Sequence, residues 1–134
     1  MPALLKFLTC HAFIALILLP ASFFPNDLLS YNGKILSYEE LWSSGAGWFT
    51  VLAGVSLPFS AYLLLNKAKS SRSVYLVSLF IIFNSSYILN GIDSIEYLEI
   101  LIMLIIFTLL FVYLYMSKGV KSYIGSNNAV KRDQ

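Results

Sequence analysis

The sequence predicts an all-α polytopic membrane protein in which four transmembrane helices form an antiparallel bundle with a short interfacial outer helix. Of the 134 residues, 58% are apolar or aromatic and 12% are charged, whereas soluble domains carry about 25% charged residues. The charged residues leave four long uncharged runs, and bases and acids segregate to opposite ends of these runs. This composition excludes an ordinary soluble domain, a disordered chain and a nucleic-acid-binding domain.

The four uncharged runs define the predicted helices. Lys, Arg, Asp and Glu are absent from residues 7–26, 41–66, 73–92 and 100–117. Each run reaches the roughly 18 residues that a membrane-spanning helix requires. We therefore predict a single transmembrane domain over residues 1–124, followed by a flexible cytoplasmic tail over residues 125–134. Its helices are predicted at about 4–24, 44–66, 73–91 and 96–117.

Helix 1 has two interpretations. The basic residue Lys6 and the apolar run 7–19 resemble the start of a cleaved signal peptide. Leu19 and Pro20, however, occupy positions where cleavage needs small residues. The sequence therefore favours a helix that is retained in the membrane.

The loop after helix 1 is predicted to end in a short helix. Ser37 and Glu40 have the spacing of a capping box, in which each side chain bonds to the backbone N–H of the other residue. Leu41 and Trp42 follow. We predict a short interfacial helix at about 38–44, and the sequence leaves open whether it is continuous with helix 2.

Helix 2 is predicted to lie at the centre of the bundle. At about 100° per residue, its small side chains share one arc, opposite Trp48, Phe59 and Tyr62. Small residues let membrane helices approach closely. Pro58 removes one helical hydrogen bond, so we predict a bend there. The bend is either a packing kink or a gating hinge. The candidates for helix packing or partner binding in helix 2 are Thr50, Ala53, Gly54 and Pro58.

Helices 3 and 4 are predicted to differ in their surroundings. The short connection 67–72 joins helices 2 and 3 as an antiparallel hairpin. In helix 3, Ser78, Asn84 and Ser85 are candidates for helix packing or partner binding, with a polar pore as the alternative for Asn84. Helix 4 has no small side chain in its central part, which places it at the lipid-facing periphery or against another subunit. Gly119 is predicted to end helix 4.

The distribution of charge predicts the orientation. All basic residues except Lys34 fall on one side of the predicted membrane, and all acidic residues except Asp133 fall on the other. Cytoplasmic loops carry an excess of Lys and Arg. The sequence therefore predicts cytoplasmic termini and a location in the bacterial inner membrane.

The outer acidic residues have two interpretations. They serve as solvated helix caps and topology signals, or they form an anionic surface that attracts a basic protein domain or cations. The residues of this outer acidic surface are Glu39, Glu40, Asp93, Glu96 and Glu99.

Catalytic, cofactor and metal sites are not predicted. The chain has one cysteine, Cys10, and one histidine, His11, which excludes an intrachain disulfide, a bis-histidine haem site and a multi-histidine metal site. His11 is the polar intramembrane candidate, on a face predicted to include Leu8 and Ala15. Its imidazole is either a neutral group that bonds to a nearby carbonyl or part of a proton, ligand or partner site.

The predicted function is protein–protein recognition within the bilayer by a non-catalytic integral membrane protein. The expected partners are membrane lipids and either another membrane protein or further copies of the chain, without nucleic acid. An accessory subunit fits this size and topology, as does a bacterial immunity protein against a membrane-active toxin. A small oligomeric channel or transporter is the alternative.

Overall fold

The computed structural model describes residues 1–24, 30–31, 34–85 and 97–130, and these residues are almost entirely helical. One short antiparallel pairing joins Ser30 with Ile35 and Tyr31 with Lys34. In chain order the elements are α1 (Ala3–Ile14), a 3₁₀ segment (Ala15–Ile17), α2 (Leu18–Phe23), β1 (Ser30–Tyr31), β2 (Lys34–Ile35), α3 (Tyr38–Ser43), α4 (Ala46–Leu65), α5 (Ser71–Phe83), α6 (Tyr97–Met116) and α7 (Lys118–Val130).

Three helical stretches are long and apolar enough to cross a membrane. They are Ala3–Phe23, Ala46–Leu65 and Tyr97–Met116, which correspond to predicted helices 1, 2 and 4. The predicted third helix, 73–91, is represented by α5, which has 13 residues and ends at Phe83. Residues 86–91 lie outside the described part of the chain. A 13-residue helix extends about 20 Å, which is less than the roughly 30 Å of a hydrocarbon core.

The first span is not a uniform α-helix, because α1 and α2 are separated by the 3₁₀ segment Ala15–Ile17. Pro20 explains this change. Proline has no N–H to give to the carbonyl four residues earlier, which belongs to Leu16, and its ring crowds that carbonyl. The backbone tightens into 3₁₀ geometry around Leu16 instead. This local change was not predicted from the sequence.

Helix α4 occupies the centre of the described part. It contacts the first span and α5, and α3 packs near its beginning. A close approach occurs at Gly54, where an added Cβ would lie 2.8 Å from Leu19 Cγ and 3.1 Å from the Leu19 backbone nitrogen. Only a hydrogen atom fits at this distance, so Gly54 lets α2 lie directly against α4. The helix continues through Pro58, which is buried.

The buried face of α4 consists mainly of small residues. Trp48, Phe59 and Tyr62 are exposed on the opposite side, in agreement with the predicted arcs. The buried residues of α4 are Ala46, Gly47, Ala53, Gly54, Leu57, Pro58, Ser60, Ala61 and Leu64.

The largest hydrophobic cluster lies where α1 and α5 begin and α4 and α6 end. Its members come from five helices and from the 3₁₀ segment, so these elements share one core at this end of the molecule. Only Leu114 of α6 is buried among the residues of that helix. The cluster consists of Leu5, Leu8, Ala12, Ala15, Leu57, Ala61, Leu64, Tyr75, Leu79, Leu114, Val120 and Ile124.

The C-terminal segment differs from the prediction. Residues 125–130, predicted as part of a flexible tail, belong to α7, while residues 131–134 lie outside the described part. Helix α6 ends at Met116 rather than at Gly119, and α7 begins at Lys118. The apolar side chains of Val120 and Ile124 are buried in the main cluster. Their spacing of four residues gives α7 an apolar face, which the surrounding polar residues obscured in the sequence.

Helix α3 begins with the predicted capping box. The Ser37 Oγ accepts a hydrogen bond from the Glu40 N–H at 3.3 Å, and Glu40 Oε2 accepts one from the Ser37 N–H at 3.0 Å. Gly45 has φ 83°, a left-handed conformation that glycine adopts readily. This residue separates α3 from α4, so the short interfacial helix is not continuous with helix 2.

Replacing Gly54 by alanine is expected to destabilise the fold, because the new methyl group must displace Leu19. Overpacking of this kind costs about 1–3 kcal/mol. The matched control is Gly125→Ala in α7, where nothing lies within 4 Å of the added Cβ. Alanine there is expected to be neutral or to stabilise by up to about 1 kcal/mol.

Thermal unfolding of both variants in one detergent, followed by helical circular dichroism, measures this difference. Equal midpoints for Gly54→Ala and the unmodified protein would show that α2 and α4 are not in contact at Gly54.

Candidate functional site

Three of the short polar side chains in the helices bond to their own backbone. Thr50 donates to the Ala46 carbonyl at 3.0 Å, Ser60 to the Leu57 carbonyl at 2.6 Å, and Ser85 to the Ile82 carbonyl at 2.7 Å. Such bonds satisfy the hydroxyl groups without a second helix. These hydroxyl groups therefore do not converge on a common polar site.

Asn84 lies at the C-terminal end of α5 and contacts α6. Its Nδ2 donates to the Phe80 carbonyl at 2.7 Å and to Met103 Sδ at 3.7 Å. A polar pathway through the bundle would need Asn84 to face other polar groups, such as Thr50 and Ser60. The observed partners instead join α5 to α6.

The packing candidates divide into buried and partly exposed residues. Ala53, Gly54, Pro58 and Ser78 are buried within the chain itself. They are occupied in contacts between the protein's own helices, and an external partner does not reach them. Thr50, Asn84 and Ser85 are half-buried.

The outer acidic surface is described in part. Glu39 and Glu40 are exposed in α3, and Glu40 completes the capping box. Glu99 is exposed in the first turn of α6, where a negative charge favours the positive end of the helix dipole. Asp93 and Glu96 lie outside the described residues.

His11 lies on the exposed side of α1. Leu8 and Ala15, which were predicted to share its face, are buried, whereas His11 and Cys10 are exposed. The side chains one turn before and one turn after, Phe7 and Ile14, are exposed by 65% and 68%. The ring of His11 therefore belongs to an apolar outer strip of the first span, which we call the His11 face: Phe7, Cys10, His11 and Ile14.

The His11 face is polar at one position and otherwise apolar. Within the described residues, the imidazole of His11 has no hydrogen-bond partner, and no group of three or more His, Cys, Asp or Glu side chains is placed to hold a metal ion. The imidazole can thus form a hydrogen bond with a group outside the described part of the chain.

An aromatic cluster joins α2, α3 and α4 at the end opposite the main hydrophobic cluster. The Trp42 ring lies 5.9 Å from the Phe23 ring, 6.4 Å from the Tyr38 ring and 5.4 Å from the Trp48 ring, between centroids. Trp42 Nε1 donates to the Ser22 carbonyl at 3.2 Å. An added Cβ at Gly47 would lie 2.9 Å from the Trp42 ring, so the indole rests directly on the α4 backbone.

The contact between Trp42 and Trp48 was not predicted from the sequence. The contact depends on the reversal of the chain at Gly45, which brings α3 back onto the first turn of α4. A glycine between two short aromatic segments is the signal that could have indicated it.

No protein-family model matches the chain, and neither a curated protein nor a solved structure matches it.

Replacing Trp42 by phenylalanine is expected to lower stability by about 0.5–1.5 kcal/mol, because the hydrogen bond to the Ser22 carbonyl is lost. Trp48→Phe is the matched control, since Trp48 is exposed by 68% and makes no such bond. Thermal unfolding in detergent, followed by the fluorescence of the remaining tryptophan and by circular dichroism, provides the comparison. An equal effect of both substitutions would contradict a specific role for the Trp42 indole N–H.

Proposed function

We propose that this protein is a non-catalytic integral membrane protein that recognises another membrane-embedded helix through the His11 face. The observation that carries this proposal is an exposed imidazole in an apolar helix that is long enough to cross the bilayer. An accessory subunit of a membrane complex and an immunity protein against a membrane-active toxin are functions of this kind.

The depth of His11 is the physical basis of the proposal. Along a helix that begins at Ala3, His11 lies about 12 Å from the beginning. The imidazole then lies about a third of the way through the span and inside a hydrocarbon core about 30 Å thick. Ionisable side chains at such depth almost always face a protein interior or a water-filled cavity. A partner helix that covers the His11 face and offers a hydrogen-bonding group would place the imidazole in a protein interior.

The packing within the chain supports recognition at the surface rather than in the interior. The small residues of α4 that would suit a close helix contact are already buried against the protein's own helices. The hydroxyl groups of Thr50, Ser60 and Ser85 bond to their own helices. An oligomeric channel, the alternative function, would need polar groups that line a pathway.

We also propose that the chain crosses the bilayer four times, with both ends in the cytoplasm. The last turn of α6 lies beside the beginning of α5, because Tyr115 OH and Ser73 Oγ are 2.7 Å apart. Asn84, at the end of α5, contacts Met103 near the beginning of α6. This antiparallel contact supports the proposal that the chain reaches the outer side before Tyr97.

The positions of the basic residues support the same orientation. Lys67 donates to Ser126 Oγ at 2.9 Å, and an added Cβ at Gly119 would lie 3.3 Å from Pro2 Cγ. The chain start, the connection between α4 and α5, and α7 are therefore neighbours. A single basic end is the arrangement expected on the cytoplasmic side of a bacterial inner membrane.

Partner recognition is tested with a photo-crosslinking residue at Ile14, on the His11 face. The same residue at Leu109, an exposed position of α6, serves as the control away from this face. In the protein's native membranes, Ile14 is expected to give an adduct of one defined mass. His11→Leu should reduce its yield by about threefold to fifteenfold, as expected for loss of one intramembrane hydrogen bond. Phe7→Leu, on the same face, is the control.

The mass of the adduct identifies the partner class. A second copy of the chain gives a dimer, and mild oxidation should then link the two Cys10 thiols. A different mass indicates another protein. Crosslinks to lipid alone at Ile14, or a yield that His11→Leu leaves unchanged, would refute recognition through this face.

Orientation is tested by labelling single cysteines with a membrane-impermeant maleimide in a Cys10→Ser background. Glu39→Cys and Glu99→Cys are expected to react in intact cells, and Lys69→Cys only after permeabilisation. All three positions are exposed, so burial does not explain a negative result. Labelling of Lys69→Cys alone in intact cells would reverse the topology, and protection of Glu99→Cys would contradict the fourth crossing.

A further inference from the structure

An apolar groove runs along the outer surface between α5 and α6. Its volume is about 350 Å³. Several of its lining side chains are largely exposed, among them Val77 at 57% and Phe111 at 53%, so the groove is open along its length. The lining residues are Leu76, Val77 and Phe80 from α5, and Phe107, Phe111 and Tyr115 from α6.

One end of the groove is polar and cationic. Ser73, which also lines the groove, has its Oγ 2.7 Å from the Tyr115 hydroxyl. The guanidinium carbon of Arg72 lies 5.0 Å from the centroid of the Tyr115 ring. Arg72 Nη1 donates to the Leu114 carbonyl at 3.4 Å. The cation is thus held in place beside the hydroxyl pair by the last turn of α6.

Arg72 has no counter-ion among the residues that the structure describes. Its known partners are a neutral carbonyl and an aromatic ring, and its Nε is buried without a hydrogen-bond partner. A partly buried guanidinium interacts strongly with an anion that can accept two parallel hydrogen bonds, such as a phosphate.

We propose that Arg72 and this groove bind one anionic phospholipid from the leaflet on the basic side. The phosphate lies at Arg72, with the Ser73 and Tyr115 hydroxyls as further hydrogen-bonding groups, and an acyl chain lies in the groove. From Ser73 to Phe80 the groove follows about 10 Å of helix, so it receives the part of the chain nearest to the headgroup.

The placement of charge favours a lipid as the occupant. The cation lies at the end of the helices, at the depth of headgroups, and the apolar part continues from there into the hydrocarbon region. This order of a charge followed by an apolar strip matches the order along a phospholipid. The site lies on α5 and α6, whereas the proposed partner face lies on α1. A negative result for one proposal therefore does not affect the other.

The experiment is native mass spectrometry of the full-length protein, with phosphatidylglycerol or phosphatidylcholine of identical acyl chains added to the micelles. The unmodified protein is expected to bind one phosphatidylglycerol at a concentration about fivefold lower than that needed for phosphatidylcholine, as expected for one charge at a membrane surface. Arg72→Gln should remove this preference. Lys69→Gln, an exposed position that loses the same charge, should retain it.

A second pair of variants tests the groove without changing charge. Val77→Trp fills the groove and should reduce binding of both lipids, whereas Ile105→Trp, an exposed position of α6 outside the groove, should not. Circular dichroism and gel filtration verify the fold of each variant, and the Val77 pair decides alone if Arg72→Gln does not fold. Equal affinity of the unmodified protein for both lipids, equal effects of Arg72→Gln and Lys69→Gln, or unchanged binding by Val77→Trp would overturn the proposal.

Discussion

The contact between Gly54 and Leu19 is the constraint on which the other helix positions depend. It sets the first span against α4 at a distance that leaves no room for a Cβ. With one side of α4 covered by the first span, α5 packs on another side, and α6 reaches the rest of the molecule through α5 and α7. Helix α6 is therefore peripheral, with Leu114 as its one buried residue in the described part.

The sequence predicted the features that depend on local chemistry. Uncharged runs gave three spans within a few residues of their observed ends. The small face of α4 and the Ser37–Glu40 capping box follow from spacing alone, because both involve residues within a few turns of one another.

Features that depend on contacts between distant segments were not predicted. The apolar face of α7 is visible as Val120 and Ile124, but its burial requires α1 and α4. The position of Arg72 against Tyr115 joins residues 43 positions apart in the chain. The exposure of His11 was not predicted for a related reason: its arc also contains Leu8, and only the position of α4 determines which edge of that arc is covered.

Two polar groups at the surface of the helices, His11 and Arg72, carry the functional proposals for opposite reasons. His11 lies within a span, and no described side chain or carbonyl bonds to its imidazole, which is the reason for proposing a protein partner. Arg72, near the beginning of α5, is already held by a carbonyl and a ring, which is the reason for proposing an anion. The two proposals thus rest on the different positions of these groups along their helices.

Val120 is buried in the same cluster as Leu5, and this has a consequence for biosynthesis. A ribosome delivers the first span to the bilayer long before it makes residues 118–130. Until those residues emerge, Leu5 and Leu64 lack part of their final packing. The basic end of the molecule is therefore completed last, after translation of α7, and a chain truncated before Val120 would keep its spans but leave an apolar surface open at the membrane boundary.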